Sequence, residues 1–332
     1  MGKGNSILVC YGTRPEYIKV KGFLKYRKEL NLKLLYVAQH ENLINGEFDH
    51  KISIDEGNNR LDSIISSVLT HMGDIMDGVT HVMVQGDTAT AFAVALAALN
   101  RNKKIIHLEA GLRTYDKNNP YPEESYRQMI SRIADIHFCP TEGNKTDLIN
   151  EKSGGEIFVV GNTGLDGLFG TMTRSYNKIL VTIHRRENHE IADKWFKEIE
   201  NLAAINTEYE FIIPIHPNPN IKKHSDIFKS VKIVDPMSHK DIIDYMKDCK
   251  VIITDSGGIQ EEGSFLGKRV IVCRKTTERS EAINKGSYLC KSPEFLEQIF
   301  NDAIKNYGEI YECPYGDGKS SERIIKILEK CL

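Results

Sequence analysis

Three carboxylates stand where acid–base chemistry could be done, just after short apolar runs or one loop beyond them. Asp87 lies in the run QGDT, Glu109 begins EAGLRT, and Glu123 lies in PYPEE. Helix capping or first-turn placement would explain Asp87 or Glu123 taken alone. Glu109 directly follows the apolar run IIHL, where burying a lone carboxylate would be costly. We therefore predict that the three acids converge on one rim and serve as general acids and bases.

A basic pair follows the first apolar run. Arg14 lies in GTRPE, and Lys19 comes one turn later. The glycine and Pro15 indicate a turn that opens a helix, where a cation and helix-end N–H groups would suit a phosphate. This run has neither G-x-G-x-x-G nor G-x-x-x-x-G-K-[ST], so it lacks the dinucleotide and P-loop fingerprints. The alternative is a plain turn with a solvated arginine.

Two histidines follow apolar runs in the second half of the chain. His184 lies in IHRRE and His216 lies in IHPNP. A single histidine beside a strand is more often structural than catalytic, and a matching pair favours function only modestly.

The run DSGGIQEE is a more specific feature of this half. Ser256, Gly257 and Gly258 turn a predicted strand into a helix and would expose backbone N–H groups to a diphosphate. Glu262, one turn further on, could accept hydrogen bonds from ribose hydroxyls. Arg279, in TTER, could add a cation.

Short β-branched runs that alternate with amphipathic stretches must position these residues. This alternation predicts βαβ units and parallel sheets, an α/β fold of two doubly wound domains that bind ligand in the cleft between them. The predicted domains are 1–169 and 178–319, joined by a polar segment at 169–177. Predicted strands are 6–11, 33–38, 81–84, 104–108, 136–138, 156–160, 179–183, 210–215, 231–234, 251–254 and 269–272. Predicted helices are 16–29, 61–72, 89–99, 123–134, 142–150, 192–204, 239–247, 256–265, 293–306 and 320–330.

Composition excludes several classes of protein. The 332 residues carry a net charge of -2, so no global positive field would attract nucleic acid or a membrane surface. Apolar runs are far shorter than the ~20 residues that span a bilayer, and no secretion signal is present, so we expect a cytoplasmic enzyme. The seven scattered cysteines form no C-x-x-C pair, and the run HRRENH matches neither H-E-x-x-H nor H-x-x-E-H, so we expect no metal site.

In sequence order, these motifs resemble the non-hydrolysing UDP-N-acetylglucosamine 2-epimerases. The resemblance rests on GTRPE, QGDT, EAGLRT, PYPEE, HRREN, HPNP, DSGGIQEE and TTER, which together cover most of the chain. It implies the two-domain glycosyltransferase-B fold, with the helix at 320–332 packed back on the first domain. It also implies interconversion of UDP-GlcNAc and UDP-ManNAc without a cofactor, by a homodimer.

The resemblance also suggests roles for individual residues. Asp87, Glu109 and Glu123 would be the acid/base and sugar-positioning group, and His184 would support departure of the diphosphate. We hypothesise that Asp87 and Glu123 handle the C2 protons while Glu109 orients the sugar. The residues implied for UDP and substrate binding are Arg14, Lys19, His216, Ile242, Ser256, Gly257, Gly258, Glu262 and Arg279.

The chain departs from the family pattern in two places. Near the uracil it has Met237 and Ile242 where a glutamine and an aromatic are common; a backbone hydrogen bond to the base is a role that Ile242 can keep. Gln39 and His40 lack the usual following arginine, and the stretch 52–71 looks shortened. In bacterial members these parts help to bind a second, activating UDP-GlcNAc, so we expect no allosteric activation.

Other substrates and reactions remain as alternatives. Sister epimerases that act on diacetamido uronic acids or 6-deoxy UDP-sugars tend to have EAGNR where this chain has EAGLRT, and hydrolysing relatives typically have arginine in place of Thr88. A glycosyltransferase of the same fold, or a silent nucleotide-sugar binder, would have no use for all three acids.

Overall fold

The computed structural model describes residues 5–39, 47–55, 57–215 and 218–332. The chain divides into two compact units. The N-terminal unit is Met1–Gly167 together with Tyr315–Leu332, and the C-terminal unit is Leu168–Pro314. The chain therefore re-enters the N-terminal unit five residues before the predicted start of the last helix.

In the described residues, the N-terminal unit has a seven-stranded parallel sheet of order β3-β2-β1-β4-β5-β6-β7. Its strands are β1 (Ile7–Tyr11), β2 (Leu32–Ala38), β3 (His50–Ser53), β4 (His81–Gln85), β5 (Lys104–Leu108), β6 (Ile136–Cys139) and β7 (Glu156–Val159). Its helices are α1 (Arg14–Val20), α2 (Arg60–His71), α3 (Ala89–Leu99), α4 (Glu123–Ile133), α5 (Glu142–Asn150) and, at the end of the chain, α11 (Ser320–Cys331).

Both faces of this sheet are buried, because side chains alternate along each strand. Ile7 lies in one core with Ile324 of α11, whereas its neighbour Leu8 lies in a second core with Val94 of α3. Helices therefore cover both faces, which explains why the strands are continuous apolar runs. The predicted α/β class, with a doubly wound parallel sheet, is confirmed in this unit.

The first predicted helix is shorter than the pattern suggested. Instead of one helix over 16–29, α1 ends at Val20 and a 3₁₀ segment, Lys21–Tyr26, follows. Gly22 lies in this segment, and a Cβ added there would come within 2.5 Å of Ser321 Oγ. The close approach of α11 therefore needs a glycine at this position.

The C-terminal unit has a parallel sheet of order β10-β9-β8-β11-β12-β13 in its described residues. The strands are β8 (Lys178–Thr182), β9 (Glu210–Pro214), β10 (Lys232–Val234), β11 (Val251–Thr254), β12 (Arg269–Cys273) and β13 (Ser287–Cys290). The helices are α6 (Ala192–Ile205), α7 (Pro219–Lys222), α8 (His239–Asp248), α9 (Gly257–Phe265) and α10 (Leu296–Lys305). The sequence did not predict β13 and β3, which are short strands at the edges of their sheets.

The segments that join the units each pack on a neighbour. At the return to the N-terminal unit, the Asn162 N–H donates to the Tyr315 carbonyl at 2.7 Å. The predicted linker 169–177 has no helix or strand, and the N–H groups of Arg174 and Tyr176 donate to the last carbonyls of α8 at 2.9 and 3.0 Å. Buried Lys268 donates to the carbonyl of Lys247 at 2.7 Å and to that of Arg174. The linker is thereby fastened to the C-terminal unit.

Candidate active site

Glu109 is held at the carboxyl end of β5 by three side chains. Its Oε1 accepts hydrogen bonds from Lys19 of α1 and, at 3.2 Å, from Asn162 Nδ2; its Oε2 accepts one from Gln85 at the end of β4. Only 9% of the residue is exposed, so it depends on these partners to offset its desolvation. The orientation of the carboxylate is therefore determined before any ligand binds.

Arg127 of α4 pairs with Asp87 and lies one helical turn after Glu123. Asp87 lies in the turn after β4 and forms an ion pair with Arg127 of α4. Glu123 is the first residue of α4, four positions before Arg127, and so it lies on the same helix face. The guanidinium also contacts Oε2 of buried Glu124 at 3.2 Å. Glu124 accepts hydrogen bonds from two backbone N–H groups of the loop after β5, so one helix end organises both acid-bearing loops.

Glu16 was missed as a functional residue by the sequence reasoning. It is 2% exposed and accepts hydrogen bonds from the Gly12 N–H at 3.2 Å, the Thr13 hydroxyl at 2.6 Å and the Thr88 hydroxyl at 2.8 Å. Burial raises the pKa of this carboxyl, and the hydrogen bonds oppose that shift. Glu16 thus ties the GTRPE turn to the loop that carries Asp87. The spacing Thr-x-x-Glu, typical of a capping box, was the available signal.

His107 supports the same loop from beneath. Its Nε2 lies 2.8 Å from the carbonyl oxygen of Gly86, next to Asp87. Burial, with a smaller contribution from His137, lowers the pKa of His107 to about 3, so the ring is neutral near pH 7. Because a carbonyl only accepts, Nε2 must carry the hydrogen. The sequence reasoning missed this residue because it looks like part of an apolar strand.

The predicted basic pair, Arg14 and Lys19, separates into two different environments. Lys19 forms the ion pair with Glu109. Arg14 is exposed, and its side chain has no hydrogen-bond or ion-pair partner among the residues that the structure describes. Of the two residues flagged near the predicted second strand, Gln39 donates to Thr90 Oγ1 at 2.7 Å, and His40 lies outside the described residues.

In the C-terminal unit, a buried aspartate shapes the loop that carries His184. Asp255, at the end of β11, is fully buried and accepts hydrogen bonds from the N–H groups of His184 and Arg185 and from Asn188 Nδ2. Their distances are 3.0, 2.8 and 3.0 Å. Since its oxygens are saturated with donors, Asp255 holds the backbone of the loop after β8.

The start of α9 presents backbone N–H groups, as the Ser-Gly-Gly run predicted. Ser256 is the N-cap residue, and its own N–H donates to Thr254 Oγ1 at 3.0 Å. Gly257 lies under the guanidinium of Arg279: a Cβ there would approach Nη1 to 2.6 Å. A Cβ on Gly258 would meet nothing within 4 Å, so the space above this turn is open.

Arg279 already has anionic partners. Its Nε donates to Glu261 at 2.6 Å, and its Nη1 pairs with Glu278. Glu278 in turn contacts Arg274 at 3.0 Å, and Arg274 Nε contacts Glu187 at 2.8 Å. These five residues form a chain of alternating charge, and the guanidinium predicted to add a cation for phosphate is one link in it.

Glu262 has one partner in the described part of the chain. Its Oε1 lies 2.6 Å from Nε2 of His239, the first residue of α8. Ile242 lies in the next turn of α8, and its N–H donates to the Ser238 carbonyl at 3.0 Å. His216, predicted to bind substrate, lies outside the described residues.

The described residues contain no group of three His, Cys, Asp or Glu side chains that could hold a metal ion. No helix in this part of the chain is long and apolar enough to cross a membrane. The predicted site residues that are described fall into two sets. The N-terminal unit holds Arg14, Lys19, Asp87, Glu109 and Glu123; the C-terminal unit holds His184, Ile242, Ser256, Gly257, Gly258, Glu262 and Arg279.

Comparisons with known proteins identify the family. The family model described as UDP-N-acetylglucosamine 2-epimerase matches residues 24–329. A Campylobacter jejuni protein named UDP-N-acetylglucosamine 2-epimerase is 36% identical, with 98% of this chain and 97% of the relative covered. The chain belongs to the UDP-N-acetylglucosamine 2-epimerase family.

Solved structures of this epimerase family share the whole fold. The Neisseria meningitidis UDP-GlcNAc 2-epimerase, solved with UDP-GlcNAc bound, is 32% identical and superposes with a TM-score of 0.87 over 98% of this chain and 100% of its own. A structure from Listeria monocytogenes, described as a putative UDP-N-acetylglucosamine 2-epimerase, is 30% identical and has a TM-score of 0.90 over 99% and 97% of the two chains. The predicted family, fold type and enzyme class are confirmed, whereas the roles of individual residues stay predictions.

This epimerase is shorter than its relative. The alignment with the Campylobacter jejuni protein runs over 372 positions, 40 more than the residues of this chain. The relative therefore carries segments for which this chain has no counterpart.

Proposed function

We propose that this chain interconverts UDP-GlcNAc and UDP-ManNAc by eliminating UDP and adding it back, through 2-acetamidoglucal. The observation that carries the proposal is the arrangement of three carboxylates in the N-terminal unit. Asp87 pairs with Arg127, Glu123 lies one helical turn before that arginine, and Glu109 is oriented separately by Lys19, Gln85 and Asn162.

The chemistry explains why carboxylates with separate duties are useful. The C2 hydrogen has no neighbouring carbonyl to stabilise a carbanion, so its removal must accompany cleavage of the bond between C1 and UDP. A base takes the C2 proton, the electron pair forms the C1–C2 double bond, and UDP leaves. An acid then delivers a proton to the opposite face of C2 as UDP re-adds at C1. The net reaction is neither an oxidation nor a reduction, so it needs no redox cofactor.

Asp87 and Glu123 are the proposed proton-transfer pair. Asp87 is partly exposed, with Oδ2 held by Arg127, and Oδ1 makes no hydrogen bond to a described residue. Glu123 lies one helical turn from the same arginine. Glu109 fits the sugar-orienting role instead, because both of its oxygens already have donors from the protein.

The residues of the C-terminal unit are proposed to hold the leaving group. Backbone N–H groups at Gly257 and Gly258 would receive the diphosphate, since the first turn of a helix has unused donors and a positive dipole end. The N–H of Ser256 already donates to Thr254, so Ser256 would contribute through its hydroxyl. Glu262 would accept hydrogen bonds from the ribose. His184 is placed by Asp255 and would support departure of UDP, with Arg14 as an exposed cation for the phosphates.

Proton NMR of UDP-GlcNAc with the protein in D₂O tests this function. We expect the C2 proton signal to disappear and UDP-ManNAc to appear, with no metal or nicotinamide added. Free ManNAc with UDP would instead indicate hydrolysis. If nothing exchanges, diacetamido and 6-deoxy UDP-sugars are the next substrates; failure of all of them would leave a transferase or a silent binder.

We also propose that the enzyme works as a homodimer, because symmetric pairs are the commonest soluble oligomers. Light scattering after size exclusion would return about twice the 37.7 kDa chain mass if this is correct.

A further inference from the structure

We propose that His239 is a positioning residue of the UDP site, which turns the Glu262 carboxylate so that one oxygen faces the ribose. This inference rests on the proposed function, because the ribose is the ligand assigned to Glu262. The juxtaposition that carries it is the 2.6 Å contact between His239 Nε2 and Glu262 Oε1. None of the sequence motifs included His239.

The position of His239 is set by the start of α8. Ser238 is the N-cap residue, and its Oγ accepts the Asp241 N–H at 3.2 Å. Asp241 returns the contact: its Oδ2 accepts the Ser238 N–H at 3.3 Å and the Ser238 hydroxyl at 2.7 Å. This capping box fixes the first turn of the helix, and therefore the residue whose imidazole reaches across to α9.

The contact leaves half of the carboxylate unused. Within the described residues, Oε1 of Glu262 has His239 as its partner and Oε2 has none. The Glu262 side chain is 10% exposed, so Oε2 is accessible at the edge of a largely buried group. Because a carboxylate only accepts, Nε2 of His239 carries the hydrogen, and the remaining oxygen can receive a ligand's hydroxyl.

A purely structural acid in the same unit looks different. Asp255 is fully buried, and backbone and side-chain N–H donors engage both of its oxygens. In Glu262, by contrast, the second oxygen is accessible and has no donor among the described residues, so water or a ligand's hydroxyl can reach it. The half-engaged state fits an acceptor prepared for a hydroxyl group.

The test compares UDP with its 2′-deoxy and 3′-deoxy analogues by calorimetry. His239→Phe keeps a ring and removes the donor, His239→Gln keeps an N–H donor, and His224→Gln is a matched control at a histidine of the same unit outside the site. Loss of a hydrogen bond to a charged group predicts that His239→Phe weakens UDP binding about tenfold. His239→Gln should stay within about threefold of wild type, because its amide can still donate to the carboxylate.

The deoxy analogues separate positioning from general damage. We expect His239→Phe to lose less than about twofold for the analogue that lacks the hydroxyl bound by Glu262, because that contact is already missing. Equal losses for UDP and both analogues, unchanged UDP binding by His239→Phe, or no UDP binding by the wild type would each overturn the proposal. If the wild type binds UDP in this ribose-dependent way but shows no C2 exchange, the epimerisation fails and the role of His239 stands.

Discussion

The charged residues near the carboxyl ends of the strands are paired differently in the two units. In the N-terminal unit, the candidate acids have separate partners: Asp87 has one cationic partner, and Glu109 is oriented by three donors. In the C-terminal unit, Arg274 and Glu278 are buried and pair with one another, and Glu278 also pairs with Arg279, which lies against Gly257 at the start of α9. The first unit is therefore suited to offering side chains to a reacting sugar, and the second to presenting backbone N–H groups to a phosphate.

The largest expected effect comes from removing an acid of the N-terminal unit. Asp87→Asn should slow C2 hydrogen exchange by about 10³-fold, because an amide cannot take or give the proton. UDP affinity should stay within about twofold, since backbone groups of the other unit hold UDP. Deuterium incorporation by NMR measures the first and calorimetry the second. Exposed Asp77→Asn is the matched control, and wild-type exchange by Asp87→Asn would remove Asp87 from the proton-transfer role.

The buried ion pairs of the C-terminal unit should contribute measurably to the free energy of unfolding. Arg274→Met removes the cation that Glu187 and Glu278 share, although Glu278 keeps Arg279 and Glu187 is partly exposed. We therefore expect the free energy of unfolding to fall by about 3 kcal/mol, the lower end of the range for a broken buried pair. Lys326→Met removes an exposed pair with Glu322 and should cost less than about 1 kcal/mol. Urea unfolding measures both. Equal effects of the two substitutions would show that the network does not hold this unit together.

The stability of the folded chain should depend on pH through His107, which holds the loop that carries Asp87. The pKa of His107 is about 3 in the folded chain, mainly through burial, against about 6.5 in an unfolded chain. Below pH 6.5 the unfolded chain therefore binds a proton that the folded chain does not, and stability falls as pH falls. Between pH 6.5 and 5 this costs about 2 kcal/mol. Urea titrations at both pH values measure how far the free energy of unfolding falls from pH 6.5 to pH 5. In His107→Gln this fall should be smaller than in the wild type by about 2 kcal/mol. An equal fall in both proteins would contradict the low pKa of His107.

A smaller effect, on UDP affinity, is expected from a substitution at Gly257, where the start of α9 is proposed to bind the diphosphate. Gly257→Ala would place a Cβ within 2.6 Å of Arg279 Nη1, so the guanidinium or the helix start must shift. We expect UDP binding to weaken about tenfold, or about 1.4 kcal/mol, by calorimetry. Gly308→Ala, where a Cβ meets nothing within 4 Å, is the control. Unchanged UDP affinity in Gly257→Ala would argue against diphosphate binding at this turn.

Much of the fold was predictable, because parallel strands buried on both faces are continuous apolar runs. The predicted strand 104–108 coincides with β5, and the predicted helices 89–99 and 142–150 coincide with α3 and α5. Edge strands were harder: in β3 only Ile52 is buried, so the run HKIS carries too little apolar signal. Asp87 and Glu109 lie just after β4 and β5, the positions that the sequence indicated, while their roles stay predictions.

The supporting residues were not predictable in the same way. Glu16 and His107 act through Thr88 and Gly86, and His239 acts through Glu262, 23 positions away. Each pair is joined only because two elements pack side by side. Local pattern does not report which distant side chains will meet.

The sequence by itself determined the alternation of strands and helices, the order of the motifs and the family, because apolar periodicity and turn residues act over short distances. Only the tertiary structure decided how the charges pair. In the structure, Lys19 pairs with Glu109, Arg127 pairs with Asp87, and Arg279 pairs with Glu261 and Glu278. The physical reason is that a buried charge takes the partner that folding brings within hydrogen-bonding distance, and chain order does not specify that partner.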